Sequence, residues 1–273
     1  MQQQYKKKCN TICEHTKSSP LSNEEEFRKK IHDVIKRGNI SDKFTDILLS
    51  PSSIEKYRAA FTHSSVSDNN YEVYEQKGDV LANAFLIWYA YKRFPNLNSS
   101  KGVEIVALIR IKYASKNTFS DISEKLGFWP FISACDHSKA TFQKDLLEDV
   151  LESFIGVTAE ILDDKFMVGV GYNVVYDILK SIFDEIPIPL DYESLKDSIT
   201  IIKETASHKD IKVEYKKYDD VSGIITTLYA IIYNKRIKIG TGIGPDDAVS
   251  KHNAAKEGLR WLEANGFYTK REF

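Results

Sequence analysis

Residues 71–88, YEVYEQKGDVLANAFLIW, constrain this chain more than any other stretch. Read at 3.6 residues per turn, they predict a long helix that starts polar and becomes almost wholly apolar from Val80 onward. Glu75 and Asp79 lie four apart and share a face, with Glu72 a turn earlier on the same side. Like charges at that spacing cost a surface helix a few tenths of a kcal/mol, and far more where the helix turns buried. Two readings fit this helix alone. Either a divalent cation held by carboxylates offsets the repulsion, or the acids sit at a solvated helix start and favour its N-terminal dipole.

Residues 142–163, FQKDLLEDVLESFIGVTAEILD, predict a second such helix. Leu147, Leu151 and Phe154 form its apolar stripe, widened by Val150, Ile155 and Ile161. Asp149 and Glu152 sit three apart beside that stripe; alone they would also suit a helix edge paired with Lys or Arg. If the two helices pack together, their carboxylate pairs make a four-carboxylate Mg²⁺ site, because Mg²⁺ prefers hard oxygen ligands.

Four blocks, in order, carry a family resemblance. The run RAAFTHSSVSDNNYEVYEQKGDVLAN (58–83) resembles the ribonuclease III signature, in which A-L-T-H-x-S leads into E-x-x-E-F-L-G-D. Ala60, Thr62, His63 and Ser65 fit the first part; Glu72, Glu75, Gly78 and Asp79 fit the second. ASKNTFSDISEKLGF (114–128) is similar to the family's V-S-N-x-x-L-A-x-I-A-x-x-L-G-L, and EDVLESFIGV (148–157) to its A-D-x-x-E-A-x-I-G-A. The resemblance implies that Glu75, Asp79, Asp149 and Glu152 are the catalytic residues and the ligands of Mg²⁺, with Mn²⁺ able to substitute. It implies endonucleolytic hydrolysis of double-stranded RNA, leaving 5′-phosphate and 3′-hydroxyl ends. It also implies a homodimer, since one active site cuts one strand. Gln76 and Lys77 stand where the family has apolar residues, the first of which helps seal that homodimer, so a heterodimer is the alternative. His63 invites a general-base reading, but hydrolysis in the resembled family is metal-driven and the histidine belongs to a packing turn.

Composition sets wider bounds. At 273 residues, 42% hydrophobic and 28% charged, the chain is long enough for one large or two modest domains. A net charge of −1 gives no global basic signal for nucleic acid, so local distribution must carry any such contact. Cys9, Cys13 and Cys135 are too few for a disulfide framework and point to a reducing, intracellular compartment, nuclear or cytoplasmic. Cys9, Cys13 and His15 lack the fourth ligand of a structural zinc site. The longest apolar run, around Val80 to Tyr91, is too short to span a membrane, and the first 20 residues lack a signal-peptide core.

Taken in order, residues 1–21 read as a flexible polar tail. Ser22 and Glu25 form a capping box opening an amphipathic helix within 22–39 through Phe27, Ile31, Val34 and Ile35, a packing or dimerisation appendage that Gly38 and Asn39 stop. Helix follows helix over 40–186, which predicts an all-helical endonuclease domain, and 187–193 is a short linker. Over 194–268 the pattern becomes a helix (194–209), three β-branched strands and a closing helix. That last helix is expected to hold Pro245 near its first turn, with Asp246 and Asp247 at the dipole's positive end and Gly266 past its end. The predicted fold class is therefore mainly α, with a small α+β unit of order α-β-β-β-α.

That order is similar to the double-stranded-RNA-binding domain, and Gly240, Gly242, Lys251, Ala254 and Ala255 meet its closing pattern. The GTGIG run and the FYTKRE tail look most like the yeast-type enzymes of the family. Two departures stand out: Asp247 and Ala248 replace an expected lysine pair, and YDDVSG lacks the usual G-P-x-H. Lys112 and Lys116 in the first domain, and Lys251, His252, Lys256 and Arg260 in the second, are the candidates for RNA phosphate, though each also reads as a solvated surface residue. Two other functions fit the pattern: a ribonuclease III-like scaffold without cleavage, in a ribonucleoprotein or heterodimer, and a sequestering binder of duplex RNA.

Overall fold

The computed structural model describes residues 24–221 and 223–270. The predicted tail, the Cys9–Cys13–His15 group and the Ser22 cap lie outside the described residues. The chain is mainly helical, with one small sheet. It divides into two compact units: the described residues through Asn96 together with Ile109–Pro187, and Leu97–Leu108 together with the chain from Ile188 onward.

The helices run α1 (Glu24–Ile35), α2 (Asp42–Leu48), α3 (Pro51–Ala60), α4 (Glu72–Arg93), α5 (Gly102–Tyr113), α6 (Lys116–Lys125), α7 (Asp136–Thr141), α8 (Gln143–Lys165) and α9 (Val170–Phe183). In the first unit α8 is the axis, with α2, α3, α4, α6, α7 and α9 all packed against it. From Leu146 to Leu162 nearly every α8 side chain is buried, far beyond the stripe that the sequence predicts. A helix enclosed on all sides keeps polar residues only where they are bonded. Thr158 accordingly shares a 2.8 Å hydrogen bond with the Tyr57 hydroxyl, and the Ser153 hydroxyl donates to the Ala60 carbonyl.

The ends of these helices follow their local chemistry. Ser50 caps α3, its hydroxyl accepting from the Ser53 N–H, with Pro51 in the first turn. Asn39, at φ 48°, ends the short turn after α1. The apolar stripe of α1 is used inside its own unit: Phe27 and Ile31 are 3% and 0% exposed, and the Phe27 ring packs edge-on against Phe61 at 5.2 Å.

In the second unit, α10 (Tyr192–Leu195) and α11 (Ser198–His208) precede β1 (Lys212–Asp220), β2 (Gly223–Ile232), β3 (Lys235–Gly244) and α12 (Asp247–Ala264). The strands form an antiparallel sheet in the order β1-β2-β3. The single helix expected over 194–209 is two, because Lys196 is extended and Asp197 caps a new start by accepting from the Thr200 N–H at 3.0 Å. Pro245 likewise falls outside the last helix: Asp246 is its cap, accepting from the Val249 N–H at 2.8 Å.

The tightest contact in the first unit is the crossing of α4 and α8. A Cβ at Gly78 would stand 1.7 Å from the Glu152 carbonyl oxygen, and one at Gly156 would stand 2.0 Å from that of Tyr74. Both obstacles are backbone, so neither can swing aside. Gly78→Ala and Gly156→Ala should each lower stability by about 3 kcal/mol, at the upper end of overpacking costs. Gln76→Ala, two residues from Gly78 and exposed, should stay within about 0.5 kcal/mol of wild type in the same urea titration.

Candidate metal centre

The glycine crossing sets two short carboxylate series face to face. Glu75 and Asp79 come from the first half of α4, and Asp149 and Glu152 from the first half of α8. Glu152 is 7% exposed. Burial, then the charges of Asp79, Glu148, Asp149 and Glu75, push its carboxyl up to about 9. An acid held in that company needs either a proton or a cation.

Asp149 and Asp79 are held by neighbours that leave oxygen lone pairs available. The buried Tyr71 hydroxyl donates to Asp149 Oδ2 at 2.7 Å. Asn83 Nδ2 donates to Asp79 Oδ1 at 2.7 Å, and Arg110 donates in turn to Asn83 Oδ1 at 3.1 Å. Lys116 bonds Asp145 and lies 3.6 Å from Glu148, whose carboxyl burial pushes up to about 7. Among the described residues no three Asp, Glu, His or Cys side chains close tightly enough to grip an ion as they stand. Carboxylates facing one another repel and splay, and a divalent cation would draw them in. The donor set, all carboxylate oxygen with one member buried beside four other acids, fits Mg²⁺ or Mn²⁺.

Sequence reasoning missed Tyr71, Asn83, Arg110 and Glu148. Asn83 was within reach, being four residues after Asp79 on the same helix face. Arg110 comes from another helix, and nothing local announces it. His63 packs in a turn: its Nδ1 pairs with the Ser65 hydroxyl at 2.8 Å, its ring stands edge-on to Tyr71, and burial lowers its pKa against the pull of Glu72.

The candidate RNA contacts divide between the two units. In the first unit Lys112 is half-buried with its ammonium 5.8 Å from the Tyr113 ring, while Lys116 is engaged with the acids just described. On α12, Lys251 lies over the Tyr215 ring at 4.8 Å, and His252 meets Asp197 at 3.2 Å. Lys256 and Arg260 are exposed. His252, Lys256 and Arg260 repeat every four residues along one face, whereas Lys251 lies about 180° round the helix from Arg260. Asp247, at the helix start, lies 3.8 Å from Lys217 of β1.

The raised Glu152 carboxyl has a measurable consequence in metal-free protein. Its folded value of about 9 exceeds the usual 4.5, so its contribution to stability is complete below about pH 4.5 and lost as pH rises toward 9. The urea midpoint in EDTA should therefore fall over that range, and Glu152→Gln should flatten the fall. An equal fall in wild type and variant would locate its cause elsewhere.

Known proteins resemble the chain over most of its length. It is 37% identical over 256 residues to a provisionally named ribonuclease 3 of Invertebrate iridescent virus 6, a match covering 87% of each chain. A provisionally named ribonuclease 3 of Frog virus 3 (isolate Goorha) is 34% identical over 237 residues, 86% of this chain and 62% of that protein. Ribonuclease 3 of Clostridium botulinum (strain Eklund 17B / Type B) is 25% identical over 217 residues, 76% of this chain and 89% of that one. No protein-family model matches. With more than a third of its residues shared across most of the iridescent virus protein, the chain belongs to the ribonuclease III family.

Proposed function

We propose that this chain is a metal-dependent endoribonuclease that cuts double-stranded RNA, leaving 5′-phosphate and 3′-hydroxyl ends. The observation that carries the reading is Glu152, buried and surrounded by Glu75, Asp79, Glu148 and Asp149 where two helices touch backbone to backbone. Glu75, Asp79, Asp149 and Glu152 would hold Mg²⁺, or Mn²⁺ in its place. The bound ion supplies a water-derived nucleophile and neutralises charge at the phosphate. Tyr71 fixes the Asp149 carboxylate, and the Arg110–Asn83 pair fixes that of Asp79, leaving each an oxygen for a metal. The yeast-type likeness of the GTGIG run belongs to the same reading.

A second copy of the chain would complete the cutting of both strands, and α4 offers the seam. Val73, Val80 and Ile87 lie seven apart on its outer face, 61%, 64% and 38% exposed, with Trp88 beside them at 60%. Lys77 bonds Glu160 of its own unit, so the polar pair at 76 and 77 leaves that apolar line intact. The homodimer is therefore preferred to the heterodimer. A non-cleaving scaffold remains the second reading, favoured by Asp246 and Asp247 at the start of α12.

Purified protein should cut long duplex RNA with Mg²⁺ and spare it in EDTA or with Ca²⁺. Glu152→Gln should abolish cutting and leave duplex affinity nearly unchanged, because it removes a ligand charge without changing shape. Duplex left whole by wild type at every Mg²⁺ concentration would establish the scaffold instead. Asp247→Lys should strengthen duplex binding and steepen the fall of log affinity with log salt by about 0.9, the value for one phosphate on B-form DNA. An unchanged slope would mean that the start of α12 does not face RNA.

A further inference from the structure

Part of the free positive charge of the second unit lies off α12, whose own exposed cations are Lys256 and Arg260. Near the start of that helix, Lys217 faces Asp247 and Lys251 lies over Tyr215. The register of the sheet places the remaining lysines elsewhere. Leu228, Ala230 and Ile232 of β2 are buried on the side that α12 covers. Their alternates Ile225, Thr227, Tyr229 and Ile231 must point the other way. Directly across from these on β1 stand Tyr218, Lys216, Glu214 and Lys212, and on β3 Lys238 pairs with Tyr229 and Arg236 with Ile231.

The outer face thus carries Lys212, Lys216, Arg236 and Lys238, all exposed, around Tyr229. Its acids are Glu214, 3.4 Å from Arg236, and Asp220 at the far end of β1. Lys212, Lys216 and Lys238 form no ion pair with a described residue. The Arg236 guanidinium lies 3.9 Å from the Tyr229 ring centroid, and Tyr218 is 51% exposed on the same face.

We infer that this outer sheet face binds single-stranded nucleic acid, separately from the carboxylate centre and from α12. Neighbouring strands lie about 4.8 Å apart, which puts β1 and β3 about 9.6 Å from one another. Lys212 and Lys216 on β1, with Lys238 two strands away, therefore flank a lane wide enough for one extended backbone. Tyr229 with its stacked arginine, and Tyr218 beyond it, provide flat surfaces for unpaired bases. A duplex keeps its bases stacked inside and could use only the charges, and an acidic polypeptide could not use the rings.

The test uses the full chain in EDTA, with a labelled oligouridylate of about 15 nucleotides and a blunt RNA duplex of equal length, followed by fluorescence anisotropy across a NaCl series. The variant Lys212→Gln/Lys216→Gln/Lys238→Gln should bind the single strand about tenfold more weakly, with a salt slope shallower by about two units, from roughly 0.7 per phosphate contact. Its duplex affinity should fall less, since a duplex can use the charges of this face but not its rings. Tyr229→Leu, which keeps apolar bulk on the strand, should weaken single-strand binding with no change of slope. Circular dichroism checks that both variants fold, and a misfolded triple variant is replaced by the single lysine changes. Wild-type protein that does not hold the single strand, or a triple variant that loses duplex and single strand equally, overturns the inference. So does polyglutamate that displaces oligouridylate as well as unlabelled oligouridylate does, since the face would then recognise anionic chains in general.

Discussion

Two glycines, Gly78 on α4 and Gly156 on α8, let the helix backbones meet where any side chain would collide with a carbonyl. Gly78 lies between Glu75 and Asp79 and stands against the backbone of Glu152. The contact that permits the crossing therefore also gathers the acids. A helix pair held at ordinary spacing by larger residues, with axes 8–10 Å apart, would set these carboxylates farther from one another.

That approach comes at an electrostatic cost. Glu152 lies in a helix that is largely buried, and its charged neighbours are acids, so the bare site favours a proton. The surroundings limit the cost without cancelling it. Tyr71 donates to Asp149, Asn83 to Asp79, and Lys116 offsets Asp145 and Glu148. None of these contacts neutralises Glu152. A protein that retains such an arrangement is less stable for it unless a cation or proton is present, and this suits a centre that works by binding a metal.

The second unit distributes charge in another way. Its three strands between helices, with one side of the sheet buried, are the elements that the sequence pattern predicts. Yet acids occupy the start of α12, and nearby lysines are engaged by Asp247 and Tyr215. Fold and surface charge separate here because the fold depends only on the residues facing inward. Leu228, Ala230, Ile239 and Leu262 can form that core whatever the outward positions carry.

Much of this was legible in the chain itself. Periodicity alone marked α4 and α8, the three strands and the closing helix, because each element is set by residues within a few positions of one another. The carboxylate pairs were legible for the same reason, each being fixed by spacing along one helix. Local chemistry that was overlooked explains the split at Asp197 and the exclusion of Pro245, both consequences of an aspartate cap. Other features needed the tertiary structure. α8 shows an apolar stripe in sequence but is enclosed on every side, because burial depends on how many neighbours surround a helix. Arg110 reaches Asn83 across 27 positions, and Tyr71 reaches Asp149 across 78. The sequence determined which residues could share a face; only the close crossing at Gly78 and Gly156 decided that the two acidic faces would meet, since that distance depends on both backbones at once.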